Sequence, residues 1–155
     1  MPTIRPVDSE DDLAAVRRLF RDYVASLDFD LDFQNVEREM QALPGPYAPP
    51  GGVILLAEAD GVAVGVVAVQ PLDADGVCEM KRLYVRPSHR GQGLGRALGE
   101  AVLDAARRLG YDVMRLDTVA SMKAARSLYR ALGFEERPPY YDNPLDDVVY
   151  MERSL

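Results

Sequence analysis

The chain has 155 residues, a net charge of −7, 48% hydrophobic residues, one Cys and one His. That length predicts a single domain over residues 1–155 that buries roughly 68–70% of its unfolded surface, enough to fold without a staple; one cysteine and one histidine exclude an intrachain disulfide and a Cys/His zinc site, and no metal is expected. No apolar run approaches the ~20 residues of a membrane span and the start MPTIRPVDSEDD has no apolar signal core, so the expected setting is a reducing cytoplasm without a membrane partner.

Thr3 to Pro6 reads as a short first strand. Ser9, three residues before Asp12, gives a capping-box-like start. Leu13, Val16, Leu19, Phe20, Tyr23, Val24 and Leu27 then recur at helical spacing. Asp28 to Phe33 alternates acid and apolar and reads as a loop between helices. Val36, Met40 and Leu43 predict a second short helix, stopped by Pro44-Gly45-Pro46. Val53 to Ala59 and Val62 to Val69 are strands around the Asp60-Gly61 hairpin turn. Cys78 to Val85 is a further strand, followed by a loop over Arg86 to Gln92 and a helix over Gly93 to Leu109, ended by Gly110. Tyr111 to Thr118 reads as a strand and Ser121 to Leu132 as a helix closed by Gly133. Phe134 to Arg137 and Val148 to Glu152 are late strands around the loop PPYYDNPLDD. The order predicts an α/β (mixed α+β) fold.

The charge is uneven. Residues 1–75 hold 5 Lys/Arg against 14 Asp/Glu, whereas Lys81, Arg82, Arg86, Arg90 and Arg96 face Glu79 alone between positions 79 and 96. An acidic body repels nucleic acid at long range, so none is expected as a partner. A small basic patch suits a small polyanion.

The informative stretch runs from Leu83 to Arg96, LYVRPSHRGQGLGR. A strand leads in and a helix leads out, with glycines at 91, 93 and 95. The first N–H groups of a helix lack intrahelical partners and the dipole favours an anion there. The dinucleotide spacing fails, since position 96 is Arg, and the P-loop spacing fails because no Gly-Lys-Ser/Thr is present.

Arg90-x-x-Gly93-x-Gly95 resembles the acyl-CoA pyrophosphate loop of the GCN5-related N-acetyltransferase (GNAT) superfamily. Leu83-Tyr84-Val85-x-Pro87 resembles that superfamily's fourth strand, and Ala125-x-x-Leu128-Tyr129-x-x-x-Gly133-Phe134 its fourth-helix motif. Two motifs in order, in strand–loop–helix context, are specific where one glycine motif is not. Met122 departs from the pattern, which often has Asn there, with Ser121 one position earlier. The resemblance implies a single-domain fold with a central mixed sheet of about seven strands flanked by four helices. It implies acetyl-CoA as co-substrate, without metal, and an amine as acceptor. Leu83, Tyr84 and Val85 would border the pantetheine arm at a splay between strands. Arg90, Gly91, Gln92, Gly93, Leu94 and Gly95 would present N–H groups to the pyrophosphate, with Arg96 as a further phosphate contact. Tyr129 matches the hydroxyl near the departing thiolate, and Glu79 lies where some members place a base.

Acyl transfer needs a neutral amine, although an alkylammonium has a pKa of about 10.4. It also needs a donor for the developing oxyanion and a proton for the thiolate. Strand alternation predicts Glu79, Lys81, Leu83 and Val85 on one face, which also makes a Glu79–Lys81 ion pair an alternative to catalysis. Tyr23 and Leu27 in the first helix and Tyr140 and Tyr141 in the late loop are candidate acceptor-binding residues. Cys78 with His89 as an acyl-enzyme pair is the weaker chemistry, because lone cysteines are mostly buried hydrophobes. The expected function is acetyl transfer from acetyl-CoA directly to a primary amine of a small molecule, peptide or protein. The alternatives are an acetyl-CoA-binding sensor or partner-binding module without turnover, and an ATP- or NAD-binding protein. Pairing of the late strands across a homodimer is compatible with the sequence.

Overall fold

The computed structural model describes residues 2–27, 33–142 and 147–155. The elements are β1 (Thr3–Pro6), α1 (Glu10–Ser26), α2 (Phe33–Gln41), β2 (Val53–Ala59), β3 (Val62–Pro71), β4 (Val77–Val85), α3 (Leu94–Arg108), β5 (Val113–Val119), α4 (Lys123–Ala131), β6 (Glu135–Arg137) and β7 (Val148–Ser154). Each matches an expected element to within two residues at most ends. The loop expected over Asp28 to Phe33 falls outside the described residues, apart from Phe33, which opens α2. Among the described residues no helix is long and apolar enough to cross a membrane.

The seven strands form one sheet in the order β1-β2-β3-β4-β5-β7-β6. Every neighbouring pair is antiparallel except β4–β5. Helices cover both faces. Leu94, Leu98, Val102 and Ala106 of α3 pack with Tyr129 and Leu132 on one face, against Cys78, Met80, Met114 and Leu116. Val16, Leu19 and Phe20 of α1 and Val36 and Met40 of α2 pack on the other, against Ile54, Leu56, Val66 and Tyr84. Two covered faces explain the unbroken apolar run VAVGVVAV in β3, where a half-exposed strand would alternate.

Ser9 caps α1 by accepting the Asp12 N–H at 3.1 Å. The reciprocal half of the expected capping box is missing. The Asp12 carboxylate instead accepts the Asp8 N–H at 2.9 Å and both terminal nitrogens of Arg5 at 2.7 and 2.8 Å. Arg5 also donates to Glu58 at 2.6 Å, so one guanidinium ties β1 to α1 and β2.

Strand β4 carries a bulge. Ala68 faces Lys81 and Val66 faces Tyr84, so β4 advances three residues while β3 advances two. Arg82 sits at φ +60 within that step, a conformation that costs a residue with a Cβ. Its guanidinium is held by both oxygens of Glu39 in α2, at 3.0 and 3.2 Å, and Glu39 also accepts the Tyr47 hydroxyl at 2.9 Å. The extra residue resets the alternation. Leu83 and Val85 pack with the α3 face, beside Cys78 and Met80, while Glu79 lies on the opposite face. The expectation of Glu79, Lys81, Leu83 and Val85 on one face is therefore wrong beyond Lys81, because period two does not survive an inserted residue.

Arg5 and the Asp8 N–H hold the Asp12 carboxyl well below the usual carboxylate range. Its contribution is thus present above the unfolded pKa of about 4 and lost as pH falls through the lower folded value. Asp12→Asn is expected to lower Tm at pH 7 by roughly 3 °C, with the gap to the parent closing below pH ~4 in thermal melts. Glu39→Ala leaves the half-buried Arg82 without its partner and should cost about 2 kcal/mol, roughly 4–8 °C in Tm, measured by calorimetry.

Candidate active site

The parallel pairing of β4 with β5 stops at Glu79↔Arg115. Beyond that point β4 stays bonded to β3 as far as Val85, and β5 stays bonded to β7 as far as Val119. Two strands that are each held from outside thus diverge, and their facing backbone groups lose sheet partners. The expected splay is present.

A cleft of about 640 Å³ fills it. Of the residues singled out from sequence, Tyr23, Leu27, Leu83, Tyr84, Val85, Arg90, Gly95 and Tyr129 line this cleft. Ser26, Ser121, Met122 and Lys123 line it as well. Lys123 places a cation at the start of α4, where the sequence reading had none. Met122 N-caps α4 without a side-chain hydrogen bond, and its sulfur accepts from the Thr118 hydroxyl at 3.7 Å.

The glycine loop has the geometry of an anion cradle. Gly91 and Gly93 take φ +77 and +80, which β-carbon-bearing residues rarely adopt. Gly93 caps α3 without a side chain, and the first backbone bond into it is Ala97 N–H to Gly93 at 3.0 Å. Among the described residues the N–H groups from Gly91 to Arg96 therefore have no backbone acceptor. Arg90 differs from the expectation: its N–H goes to the Pro87 carbonyl at 3.4 Å. Its guanidinium donates to the Val85 carbonyl at 2.9 Å and lies over the Tyr84 ring at 5.5 Å. Gln92 belongs to the loop, and Leu94 turns into the core with 6% exposure. The Arg96 side chain pairs with Glu100 at 2.9 Å and borders a separate groove between α3 and α4.

Tyr129 is buried, stacked edge-on to Phe134 at 6.1 Å. Its hydroxyl makes no hydrogen bond among the described residues. Burial pushes its pKa well up, helped by Tyr23 and by the negative charge of Asp117. A tyrosine in that setting stays protonated and can donate.

A second cavity of about 380 Å³ lies at the closed end of the splay, lined by Glu79, Lys81, Arg115, Tyr140, Tyr141 and the turn Leu72–Ala74. Glu79 is 3% exposed. Its carboxylate accepts Gln70 Nε2 at 2.7 Å and the Tyr140 hydroxyl at 2.5 Å, with Lys81 Nζ at 3.6 Å. The ion pair weighed as an alternative is present, and Glu79 still lines the cavity with Tyr140. Tyr141 donates to Asp117, which also faces Lys81 at 3.8 Å. Tyr23 and Leu27 thus lie in one cavity and Tyr140 and Tyr141 in the other. Sequence reasoning missed Gln70, Arg115 and Asp117. Reading period two along VMRLDTV, with Met114 and Leu116 in the core, would have put Arg115 and Asp117 together on the opposite face.

Cys78 is fully buried on the α3 face, its Sγ against the Val113 carbonyl at 3.5 Å, and desolvation pushes its thiol up to about 12. His89 bonds Ser88 at 2.8 Å in the loop after β4. These placements give the acyl-enzyme reading no support.

The pattern of the acetyltransferase (GNAT) family matches residues 14–134. An uncharacterized N-acetyltransferase of Schizosaccharomyces pombe is 42% identical over 154 residues, 99% of this chain and 94% of its own length. N-acetylaspartate synthetase of Rattus norvegicus is 40% identical over 86 residues, 56% of this chain and 29% of that protein. Among solved structures, yncA of Salmonella typhimurium, determined with its cofactor acetyl-CoA, is 27% identical with a TM-score of 0.73, covering 99% of this chain and 94% of that one. The splayed strands, the glycine loop and these matches agree: the chain belongs to the GNAT family of acetyltransferases.

Proposed function

We propose that the protein transfers an acetyl group from acetyl-CoA directly to the amine of a small acceptor. The observation that carries this is the pairing of one cleft, open along the β4–β5 splay, with a second cavity at its closed end. One takes a long thioester and the other an acceptor. The partial match to N-acetylaspartate synthetase supports an acceptor of small-molecule size.

Acetyl-CoA, when bound, supplies an activated acetyl group. The free N–H groups of Gly91 to Arg96 hold the pyrophosphate, and the edge of β4 at Leu83 and Val85, which has no strand partner on the β5 side, orients the arm. The amine must shed a proton to become a nucleophile. Tyr140 accepts it while passing its own proton to Glu79 across their 2.5 Å hydrogen bond. As the nitrogen–carbon bond forms and the carbon–sulfur bond breaks, Tyr129 gives its proton to the leaving sulfur, and the surplus proton of the acylated nitrogen restores the Tyr129 hydroxyl. The fully buried Cys78 leaves no route through a cysteine acyl-enzyme.

Three outcomes test this reading. Tyr129→Phe should cut kcat by about 10²–10³ in a CoA thiol-release assay with little change in KM for acetyl-CoA. Because Tyr129 is held protonated well above its ordinary range, kcat/KM of the parent should rise with pH as the amine deprotonates and show no Tyr129 decline up to pH ~10. Gly93→Ala, strained at φ +80, should raise the Kd for acetyl-CoA about tenfold in calorimetry. Binding with no thiol release for any amine would instead favour the sensor.

A further inference from the structure

Resting on that transfer reading, we propose that the acceptor is an amine that also carries a carboxylate, and that Arg115 together with Lys81 binds the carboxylate. Of the acids at the second cavity, Glu79 is satisfied by Gln70 and Tyr140, and Asp117 by Tyr141, while Asp73 in the turn is exposed to solvent. The cations keep donors without a hydrogen-bond partner among the described residues. Arg115 donates only through Nε, to Glu152 at 2.8 Å, and its two terminal nitrogens have no partner among the described residues. Lys81 stands 3.6 and 3.8 Å from Glu79 and Asp117, within ion-pair range and beyond a hydrogen bond. Apart from the solvent-exposed Asp73, the cavity's unspent capacity among the described residues is therefore donor capacity, which a carboxylate fills.

The arginine is also pre-arranged. Its Nε is fixed by Glu152, and its guanidinium lies over the Tyr140 ring at 5.4 Å. Tyr140 is in turn anchored to Glu79. Glu152 is shared with Arg137 at 2.6 Å, so a single carboxylate serves two guanidiniums. A half-buried fork held in this way loses little side-chain freedom on binding, and its planar donors match a carboxylate. Its position fits the task. Arg115 faces Glu79 in the last bonded pair of β4 and β5. A carboxylate held there keeps the amine of the same molecule at the closed end of the splay, beside Tyr140.

The test is CoA thiol release from acetyl-CoA with aspartate, glutamate and glycine, each against its amide, and with spermidine as a purely cationic acceptor. Rates are referred to the neutral-amine fraction, because amidation alters the amine pKa. The parent should favour a carboxylate acceptor over its amide by at least about tenfold in kcat/KM, the worth of one charge-assisted hydrogen bond. Arg115→Gln should bring that ratio to within about twofold, chiefly through KM. Lys81→Met gives a second reading if Arg115→Gln does not fold, and the parent's own ratio needs no variant. Amides or spermidine acetylated as well as or better than the carboxylates would overturn the assignment and leave the transfer reading intact. No thiol release with any of these amines, despite acetyl-CoA binding, would overturn the transfer reading and this assignment together.

Discussion

Everything functional in this molecule depends on where the hydrogen bonding between β4 and β5 ends. A parallel pair that continued would bury the backbone of Leu83 and Val85 in a ladder. Here β3 holds β4 from one side and β7 holds β5 from the other, so the strands part without fraying. The bulge at Arg82 bends β4 at that point, and Glu39 on α2 holds the bulge. A helix on one face of the sheet thus supports a cleft lined from both faces, by Tyr23 of α1 and Tyr129 of α4.

The two cavities do different work with the same strands. On the cleft side, glycines and bare N–H groups make a site that reads phosphate through backbone, which tolerates many neighbouring side chains. On the other side, recognition falls to side chains: three tyrosine rings, 5.3–5.4 Å apart, brace one another and the carboxylates below them. Tyr129 faces the cleft, Glu79 and Tyr140 face the acceptor cavity, and the splay connects them.

Much of this was legible in the chain. The helical spacing from Leu13 to Leu27 and the Gly110 and Gly133 stops placed the elements, because local rules govern them. The glycine loop was legible because phosphate recognition uses backbone at fixed spacing. Two features were not. The bulge has no glycine to mark it; Arg82 is a poor residue for φ +60 and survives there because Glu39, far off in sequence, grips it. Asp12 had a stronger claimant in Arg5 than the Ser9 N–H. Both turn on an arginine choosing between partners, which spacing alone does not decide.

The burial of Cys78 has a consequence for a protein that handles thioesters. A free thiolate near an activated acyl group invites thioester exchange, which would strand the acyl group on the protein. Burial pushes the Cys78 thiol up to about 12, so it stays protonated at neutral pH. The sulfur lies one residue from Glu79 along the chain but on the far side of the sheet, sealed against α3. The protein is thereby insulated from its own co-substrate.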